Sequence, residues 1–254
     1  MEMKLAGKRA LVTGGSKGIG YACALAFARE GARPVLVARH ADDLASAAAS
    51  IKAETGMQAE VVAMDMGAAG AATILAGQVG DIDILINNAG SIPGGDLSKV
   101  DDTRWRSAWD LKLYGYIDLI RAYLPRMETN KSGVIANIIG MAGVANRYDY
   151  VCGSTANAAL IAFTNSVGAA STAHGVRVFG INPSPTRTER MLSRFTEPGA
   201  LETAGLDLPF GRFMEPAEVA HMVVCGCSPL AGYLSGTVIN LDGGLLYAAP
   251  KNRG

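Results

Sequence analysis

The chain has 254 residues, of which 49% are hydrophobic and 18% charged, and its 23 basic residues balance 23 acidic ones. This length suits one large α/β domain, and a balanced charge without blocks of like sign argues against nucleic acid or a membrane surface as the main partner. The low charged share indicates apolar surface covered by another subunit, so we expect a homo-oligomer, a dimer or a homotetramer, acting on a small molecule.

Short β-branched runs alternate with helical stretches along the chain. The predicted strands are Lys8–Gly14, Arg33–Arg39, Ala59–Asp65, Ile82–Ala89, Gly133–Met141, Val176–Pro183 and Thr237–Asp242. Each run is nearly continuously apolar, as in strands buried on both faces of a parallel sheet. This alternation predicts a doubly wound three-layer α/β sandwich with a seven-stranded parallel sheet, in a single domain over residues 1–254.

The first strand ends in a glycine-rich turn, Thr13-Gly14-Gly15-Ser16-Lys17-Gly18-Ile19-Gly20, before the predicted helix Tyr21–Glu30. Glycines let the backbone approach a pyrophosphate, and the helix N-terminus adds free N–H donors and a positive dipole. The glycine spacing differs from the common GxGxxG pattern. A tight structural turn is the alternative interpretation.

Three later segments have distinctive patterns. Trp105, Trp109, Leu113 and Ile117 recur every four residues between positions 101 and 125, which predicts one long amphipathic helix. Ser154–Thr172 is rich in small residues that suit close helix packing at a subunit interface. The proline- and arginine-rich segment Pro183–Leu208 predicts a lid over a site, or a plain surface loop.

Localisation and metal binding are predicted from simple patterns. The first ten residues carry four charged side chains and lead straight into a strand, unlike a signal peptide, and no apolar run has membrane-spanning length, so we expect a cytoplasmic protein. Cys225 and Cys227 lie too close together for a redox CxxC motif, and the chain has no His cluster. We therefore expect structural thiols and no metal.

Polar segments follow four more predicted strands, at the edge where open α/β sheets bind ligands. They are Asp65-Met66, Asn87-Asn88-Ala89-Gly90, Asn182-Pro183-Ser184-Pro185-Thr186-Arg187-Thr188 and Asp242-Gly243-Gly244. With the glycine-rich turn, this combination resembles the short-chain dehydrogenase/reductase family from about Leu5 to Gly244. The resemblance implies a Rossmann-type fold and hydride transfer with a nicotinamide cofactor.

The resemblance also implies which residues bind that cofactor. The pyrophosphate is assigned to Gly14, Ser16, Gly18, Ile19 and Gly20, the adenine to Asp65 and Met66, and the ribose to Asn88, Ala89 and Gly90. The nicotinamide end is assigned to Pro183, Ser184, Thr186, Thr188 and Asn157.

The end of the second strand predicts the type of cofactor. It reads Val37-Ala38-Arg39-His40 and lacks the acidic residue that pairs with the ribose hydroxyls of NAD. Arg39 and Lys17 can instead meet a 2′-phosphate, with His40 beside them. We therefore expect NADP(H) rather than NAD(H).

The family's catalytic residues are replaced. Its members use an Asn, a Ser, a Tyr and a Lys to support a water chain, orient the substrate, transfer the proton and lower the pKa of the Tyr. Aligned on flanking residues, these slots hold Lys112, Gly140, Gly153 and Asn157. Because glycine has no side chain, the usual proton transfer is excluded at those positions.

Four nearby groups are candidate replacements for the missing acid: Lys112, Tyr148, Tyr150 and Ser154. Lys112 and Asn157 exchange the family's Asn and Lys, which keeps an ammonium near the site. The alternatives are drift after loss of function or a lysine that points to solvent. Helical phase disfavours Tyr150, because the loop before the helix must fold its ring inward. A pocket widened by the two glycines, with Arg147, Lys112 and Arg187, suits a bulky, anionic substrate.

Three functions stay open. The favoured one is an atypical oxidoreductase for a carbonyl, alcohol or enone substrate, because a positioned acid contributes only about 10²–10⁴-fold to such chemistry. The second is a non-redox lyase or isomerase on the same fold. The third is an inactive cofactor-binding subunit of an oligomer.

Overall fold

A computed structural model describes residues 2–193, 195, 197, 199–200 and 208–247. Its strands are β1 (Arg9–Thr13), β2 (Arg33–Ala38), β3 (Glu60–Ala63), β4 (Ile84–Asn87), β5 (Gly133–Ile138), β6 (Val176–Pro183) and β7 (Val238–Leu241). They form one sheet in the order β3-β2-β1-β4-β5-β6-β7, and every neighbouring pair is parallel. The predicted Rossmann-type sheet of seven parallel strands is thereby confirmed.

Helices cover both faces of this sheet. They are α1 (Gly18–Arg29), α2 (Ala41–Thr55), α3 (Ala71–Val79), α4 (Asp102–Trp109), α5 (Gly115–Thr129), α6 (Val151–Ser171), α7 (Glu189–Leu192) and α8 (Pro216–Cys227). One buried cluster joins the sheet to α1, α2 and α8, and a second joins it to α3, α5 and α6. In β1, Val12 belongs to the first cluster and Leu11 to the second, because successive strand residues face opposite sides.

The predicted long helix at residues 101–125 is wrong in two respects. It extends to Thr129, with Pro125 inside α5, and it is interrupted by a π-helical turn over Asp110–Tyr114. In this turn the Gly115 N–H donates to the Asp110 carbonyl, five residues back. The wider turn carries Lys112, so a local change of helix type positions a candidate site residue.

The strand order reverses direction between β1 and β4. The chain moves from β1 to β2 and β3 on one side, then returns to β4 and continues outward on the other. Loops leaving β1 and β4 therefore diverge, and they open a crevice at the carboxyl ends of the strands. This crevice is where the fold presents its polar segments.

Cys23, Cys152 and Cys227 are buried free thiols, and Cys225 is exposed. In the part of the chain that the structure describes, no group of three or more His, Cys, Asp or Glu side chains is arranged to hold a metal ion. Among the same residues, no helix combines the length and apolarity needed to cross a bilayer.

Candidate active site

A cleft of about 480 Å³ opens at the crevice between β1 and β4. Its walls come from the glycine-rich turn, the ends of β2 and β4, the π-helical turn and the segment after β6. The predicted site residues that line it are Gly14, Ser16, Lys17, Gly18, Ile19, Arg39, His40, Met66, Asn88, Ala89, Gly90, Lys112, Pro183 and Thr188.

The glycine-rich turn is packed too closely for side chains. Gly14 has a φ of +64°, and a Cβ there would lie 2.8 Å from Asn88 Nδ2. A Cβ at Gly20 would lie 2.1 Å from the Gly14 carbonyl oxygen, so α1 begins directly against the turn. The N-cap residue Lys17 contributes no side-chain cap to α1. This cradle of bare backbone at a helix N-terminus fits a pyrophosphate.

The Asn88 side chain braces this turn. Its Nδ2 donates to the carbonyl oxygens of Thr13, at 2.9 Å, and Gly14, at 3.3 Å. The buried Thr13 hydroxyl accepts the N–H groups of Asn88, at 2.9 Å, and Ala89, at 3.1 Å. The loops after β1 and β4 are thus tied together, and the backbone that lines the cleft is held fixed.

Lys17 and Arg39 lie at the open end of the cleft, and they differ in whether an acidic side chain pairs with them. The Lys17 ammonium pairs with Asp43, at 3.2 Å, and lies 3.7 Å from Glu189, and the hydrogen bond with Asp43 raises the pKa of Lys17. Arg39 is exposed at the same end. No carboxylate of the described residues pairs with it. Arg39 is therefore the cation that is available to an anion entering here.

Five predicted cofactor residues lie outside the cleft wall. Gly20 packs behind Gly14, and the Asp65 carboxylate accepts the Gly67 N–H at 3.0 Å. The remaining three are Ser184, Thr186 and Asn157. Thr186 is buried and donates to the Ser184 carbonyl at 2.8 Å.

Lys112 lies in the wall of the cleft. The aliphatic part of its side chain packs against Gly90. A Cβ at Gly90 would lie only 2.6 Å from Lys112 Cδ. The ammonium donates to the carbonyl oxygens of Ile138, at 3.0 Å, and Ile139, at 2.9 Å, where β5 ends. It also lies 5.3 Å from the centre of the Tyr116 ring, and this geometry favours a cation. The solvent-facing alternative for Lys112 is therefore wrong.

Burial, together with the nearby Arg190 guanidinium, lowers the pKa of Lys112 to about 7. The residue as a whole is only half-buried, but its amine is surrounded by protein atoms. The same burial raises the pKa of the Tyr116 hydroxyl, which donates to Ile138 at 3.0 Å. Of these two groups, Lys112 is the one whose charge changes near neutral pH.

Gly140 and Asn157 face each other behind this wall. Gly140 has a φ of +137°, and a Cβ there would lie 3.0 Å from Asn157 Nδ2. That Nδ2 donates to the Gly140 carbonyl at 3.5 Å. Asn157 is buried, and its Oδ1 finds no hydrogen-bond partner among the described residues.

Tyr150 folds over Gly153. A Cβ at Gly153 would lie 2.0 Å from Tyr150 Cε1 and 2.3 Å from Cζ. The ring can lie there because Tyr150 is the N-cap of α6 and its backbone is not helical, with φ −143° and ψ 36°, although Tyr150 is not among the residues that line the cleft. The predicted widening of the pocket at Gly153 is also absent, because the ring fills that space.

The other candidate residues, Tyr148, Ser154, Arg147 and Arg187, do not line the cleft. Tyr148 is 70% exposed. The Ser154 hydroxyl accepts the Arg147 N–H at 3.1 Å and donates to its carbonyl at 3.3 Å. The Arg147 guanidinium pairs with Asp149 at 2.6 Å, and the Arg187 guanidinium lies 3.9 Å from a Glu215 carboxylate oxygen. Of the three cations predicted for an anionic substrate, only Lys112 lines the cleft.

Sequence reasoning missed three charged residues in the cleft wall, Asp43, Glu189 and Arg190. Arg190 donates to the Gly90 carbonyl, so α7 is joined to the loop after β4. The arginines after the sixth strand signalled this segment, but not which of them faces the cleft. Part of the predicted lid, at residues 194, 196, 198 and 201–207, lies outside the described residues.

Comparison with known sequences identifies relatives over nearly the whole chain. Residues 8–198 match the family model described as short chain dehydrogenase. A galactitol 2-dehydrogenase (L-tagatose-forming) from Cereibacter sphaeroides is 33% identical over 95% of this chain and 96% of its own length. A 3-oxoacyl-[acyl-carrier-protein] reductase from Aquifex aeolicus is 31% identical over 96% of this chain and 100% of its own.

Solved structures give the same relationship. The L-sorbose reductase of Gluconobacter frateurii, solved with NADPH and L-sorbose, superimposes with a TM-score of 0.91 at 30% identity, over 98% of this chain and 100% of that one. An NADP-bound 3-oxoacyl (acyl-carrier-protein) reductase from Agrobacterium tumefaciens has a TM-score of 0.90 at 26% identity, over 95% of each chain.

Proposed function

The chain belongs to the short-chain dehydrogenase/reductase family, and from this premise we propose that it is an NADP(H)-dependent oxidoreductase with an atypical proton donor. Its substrate is a carbonyl compound, the corresponding alcohol or an enone. The observation that carries this proposal is the Lys112 ammonium, which lies inside the wall of the cofactor cleft between two carbonyl oxygens.

The chain's own residues supply the cofactor site. The turn from Gly14 to Gly20 and the start of α1 are assigned to the pyrophosphate, and the loop at Asn88–Gly90 to the ribose. Arg39 is assigned to the 2′-phosphate, which gives the preference for NADP(H). When bound, the nicotinamide supplies or accepts the hydride.

We assign to Lys112 the role of placing positive charge near the substrate oxygen. Reduction of a carbonyl builds negative charge on its oxygen, and a fixed ammonium stabilises that charge more effectively in a sheltered site than in water. The carbonyl groups of Ile138 and Ile139 hold the ammonium in place before the substrate binds. We assign no proton transfer to Tyr148, which is exposed, or to Ser154, whose hydroxyl is used by the Arg147 backbone.

The test measures cofactor binding and turnover separately. Calorimetry with NADPH establishes binding, and the loss of NADPH absorbance with panels of ketoses, 3-oxoacyl thioesters and enones establishes reduction. We expect both from the wild type. We expect Lys112→Met to lower kcat by about 10²-fold, because a preorganised charge is lost. The control is Lys52→Met, which removes an exposed lysine on α2.

Two results contradict this proposal in different ways. If NADPH binds and no panel member is reduced, the cofactor is structural and the non-redox or inactive-subunit function takes its place. If no nicotinamide nucleotide binds, the assignment of the cleft fails as a whole. Unchanged turnover in Lys112→Met removes the role given to that residue.

We also propose that the protein is a cytoplasmic homo-oligomer, a dimer or a tetramer. The outer face of α6 supports this, because Ala158, Ala162 and Ala169 are exposed on it. Such small side chains allow another helix to approach closely. This face is where we expect a second copy of the chain to pack.

A further inference from the structure

The part of the Tyr150 ring that lies over Gly153 is its hydroxyl end. The ring atoms nearest to a Cβ at Gly153 are Cε1, at 2.0 Å, Cζ, at 2.3 Å, and Cδ1, at 2.7 Å. Cζ carries the hydroxyl, so the phenol oxygen lies one bond beyond an atom that occupies this space. Atoms do not approach so closely, and any side chain at position 153 therefore displaces Tyr150.

The loop before α6 is fastened in a way that directs this ring. Ser154 exchanges two hydrogen bonds with the backbone of Arg147, and the Tyr150 N–H donates to the Arg147 carbonyl at 3.2 Å. On the other side, the Gly95 N–H donates to the Asp149 carbonyl at 2.8 Å. These bonds hold residues 147–150 against the first turn of α6, and Ser154 is a positioning residue for Tyr150.

The face of α6 that carries Gly153 also carries Asn157, which packs against the end of β5 behind the cleft wall. Gly153 and Asn157 are four residues apart and lie on the same side of the helix. Asn157 contacts Gly140, which directly follows Ile139, the residue whose carbonyl accepts Lys112. The phenol end of Tyr150 thus lies one helical turn from Asn157, on the side of α6 that faces the end of β5.

We propose that Tyr150 is the proton donor of this site and that Gly153 is the residue that admits its ring, an inference that rests on the oxidoreductase function proposed above. As the carbonyl carbon receives the hydride, the C=O π pair moves to oxygen, and that oxygen takes the phenol proton. NADPH is oxidised to NADP⁺, the ketone is reduced to an alcohol, and solvent water returns a proton to the phenolate.

The first test removes only the hydroxyl. Tyr150→Phe keeps the ring over Gly153, so we expect unchanged NADPH affinity and a fall in kcat of about 10²–10⁴-fold, the usual loss for a positioned acid. The matched control is Tyr148→Phe, which alters an exposed tyrosine two residues away. Wild-type turnover in Tyr150→Phe overturns the inference. A wild type that reduces nothing overturns the proposed function instead.

The second test needs neither cofactor nor substrate. Gly153→Ala is made in the wild type and in Tyr150→Ala, and the Tm of each protein is measured. We expect the alanine at position 153 to lower the Tm while the Tyr150 ring is present. In Tyr150→Ala, which has no atom beyond Cβ at position 150, we expect it to raise the Tm, because alanine favours a helix more than glycine does. Equal Tm shifts in the two backgrounds show that the ring does not require Gly153.

Discussion

The ammonium of Lys112 gives the cleft a charge that depends on pH near neutrality. Burial lowers its pKa to about 7, so the amine is charged below that pH and neutral above it. We expect kcat for carbonyl reduction to fall as pH rises through this value, because the charge that stabilises the substrate oxygen is lost. The measurement is the pH profile of kcat for the wild type and Lys112→Met. Coincident profiles contradict the prediction.

Arg39 is the residue that separates the two nicotinamide cofactors. It lines the open end of the cleft without a described acidic partner, whereas Lys17 is engaged with Asp43. We expect Arg39→Asp to weaken NADPH binding by about 10²-fold, since a charge-assisted contact becomes repulsive, and to leave NADH binding nearly unchanged. Calorimetry with both nucleotides measures this. Equal losses contradict it, and Arg121→Asp on α5 is the charge control.

Single residues also show where sequence reasoning about the site stops. Glycines and polar residues at strand ends marked most of the cleft, because backbone approach requires glycine there. The position of the Tyr150 ring over Gly153 was not predictable from helical phase, since the loop conformation depends on hydrogen bonds of this loop to Ser154 and Gly95. The pairing of Lys17 with Asp43 likewise needs α2 to be placed first.

At the scale of elements, α6 packs closely against the sheet at a second glycine, Gly168. A Cβ at Gly168 would lie 2.3 Å from the Val178 carbonyl oxygen and 2.4 Å from the Gly236 nitrogen. We expect Gly168→Ala to lower the free energy of unfolding by about 1–3 kcal/mol, because the helix must move away from β6. Denaturant unfolding measures the change.

Gly77, in α3, is the matched control for this prediction. A Cβ at that position meets nothing within 4 Å. Gly77→Ala should therefore leave stability unchanged or raise it by up to about 1 kcal/mol, through helix propensity alone. A similar loss in both variants contradicts the packing explanation for Gly168.

The sequence pattern predicts the bounds and type of some elements better than those of others. The buried strands were predictable because both faces of each are apolar, although most predicted strands run too far at their ends, where glycine and polar residues leave the ladder. Residues 101–125 were predicted to form one continuous helix because large apolar side chains recur every four residues from Trp105 to Ile117. That spacing exceeds the 3.6-residue α-helical period, and the π-helical turn absorbs part of the difference.

At the scale of the whole molecule, the exposed small-residue face of α6 makes a testable claim about assembly. We expect Ala162→Arg to dissociate the proposed oligomer, because a long charged side chain prevents close helix approach. Light scattering coupled to size-exclusion chromatography measures the mass of each variant. Ala49→Arg, on the exposed face of α2, is the control. A wild-type monomer, or an oligomer that survives Ala162→Arg, contradicts this interface.

The contact between Tyr150 and Gly153 makes the effect of a substitution at one position depend on the residue at the other. A side chain at position 153 and the present ring compete for one volume, so a chain that carries both is strained. We therefore expect the set of residues tolerated at position 153 to widen when the ring at position 150 is removed.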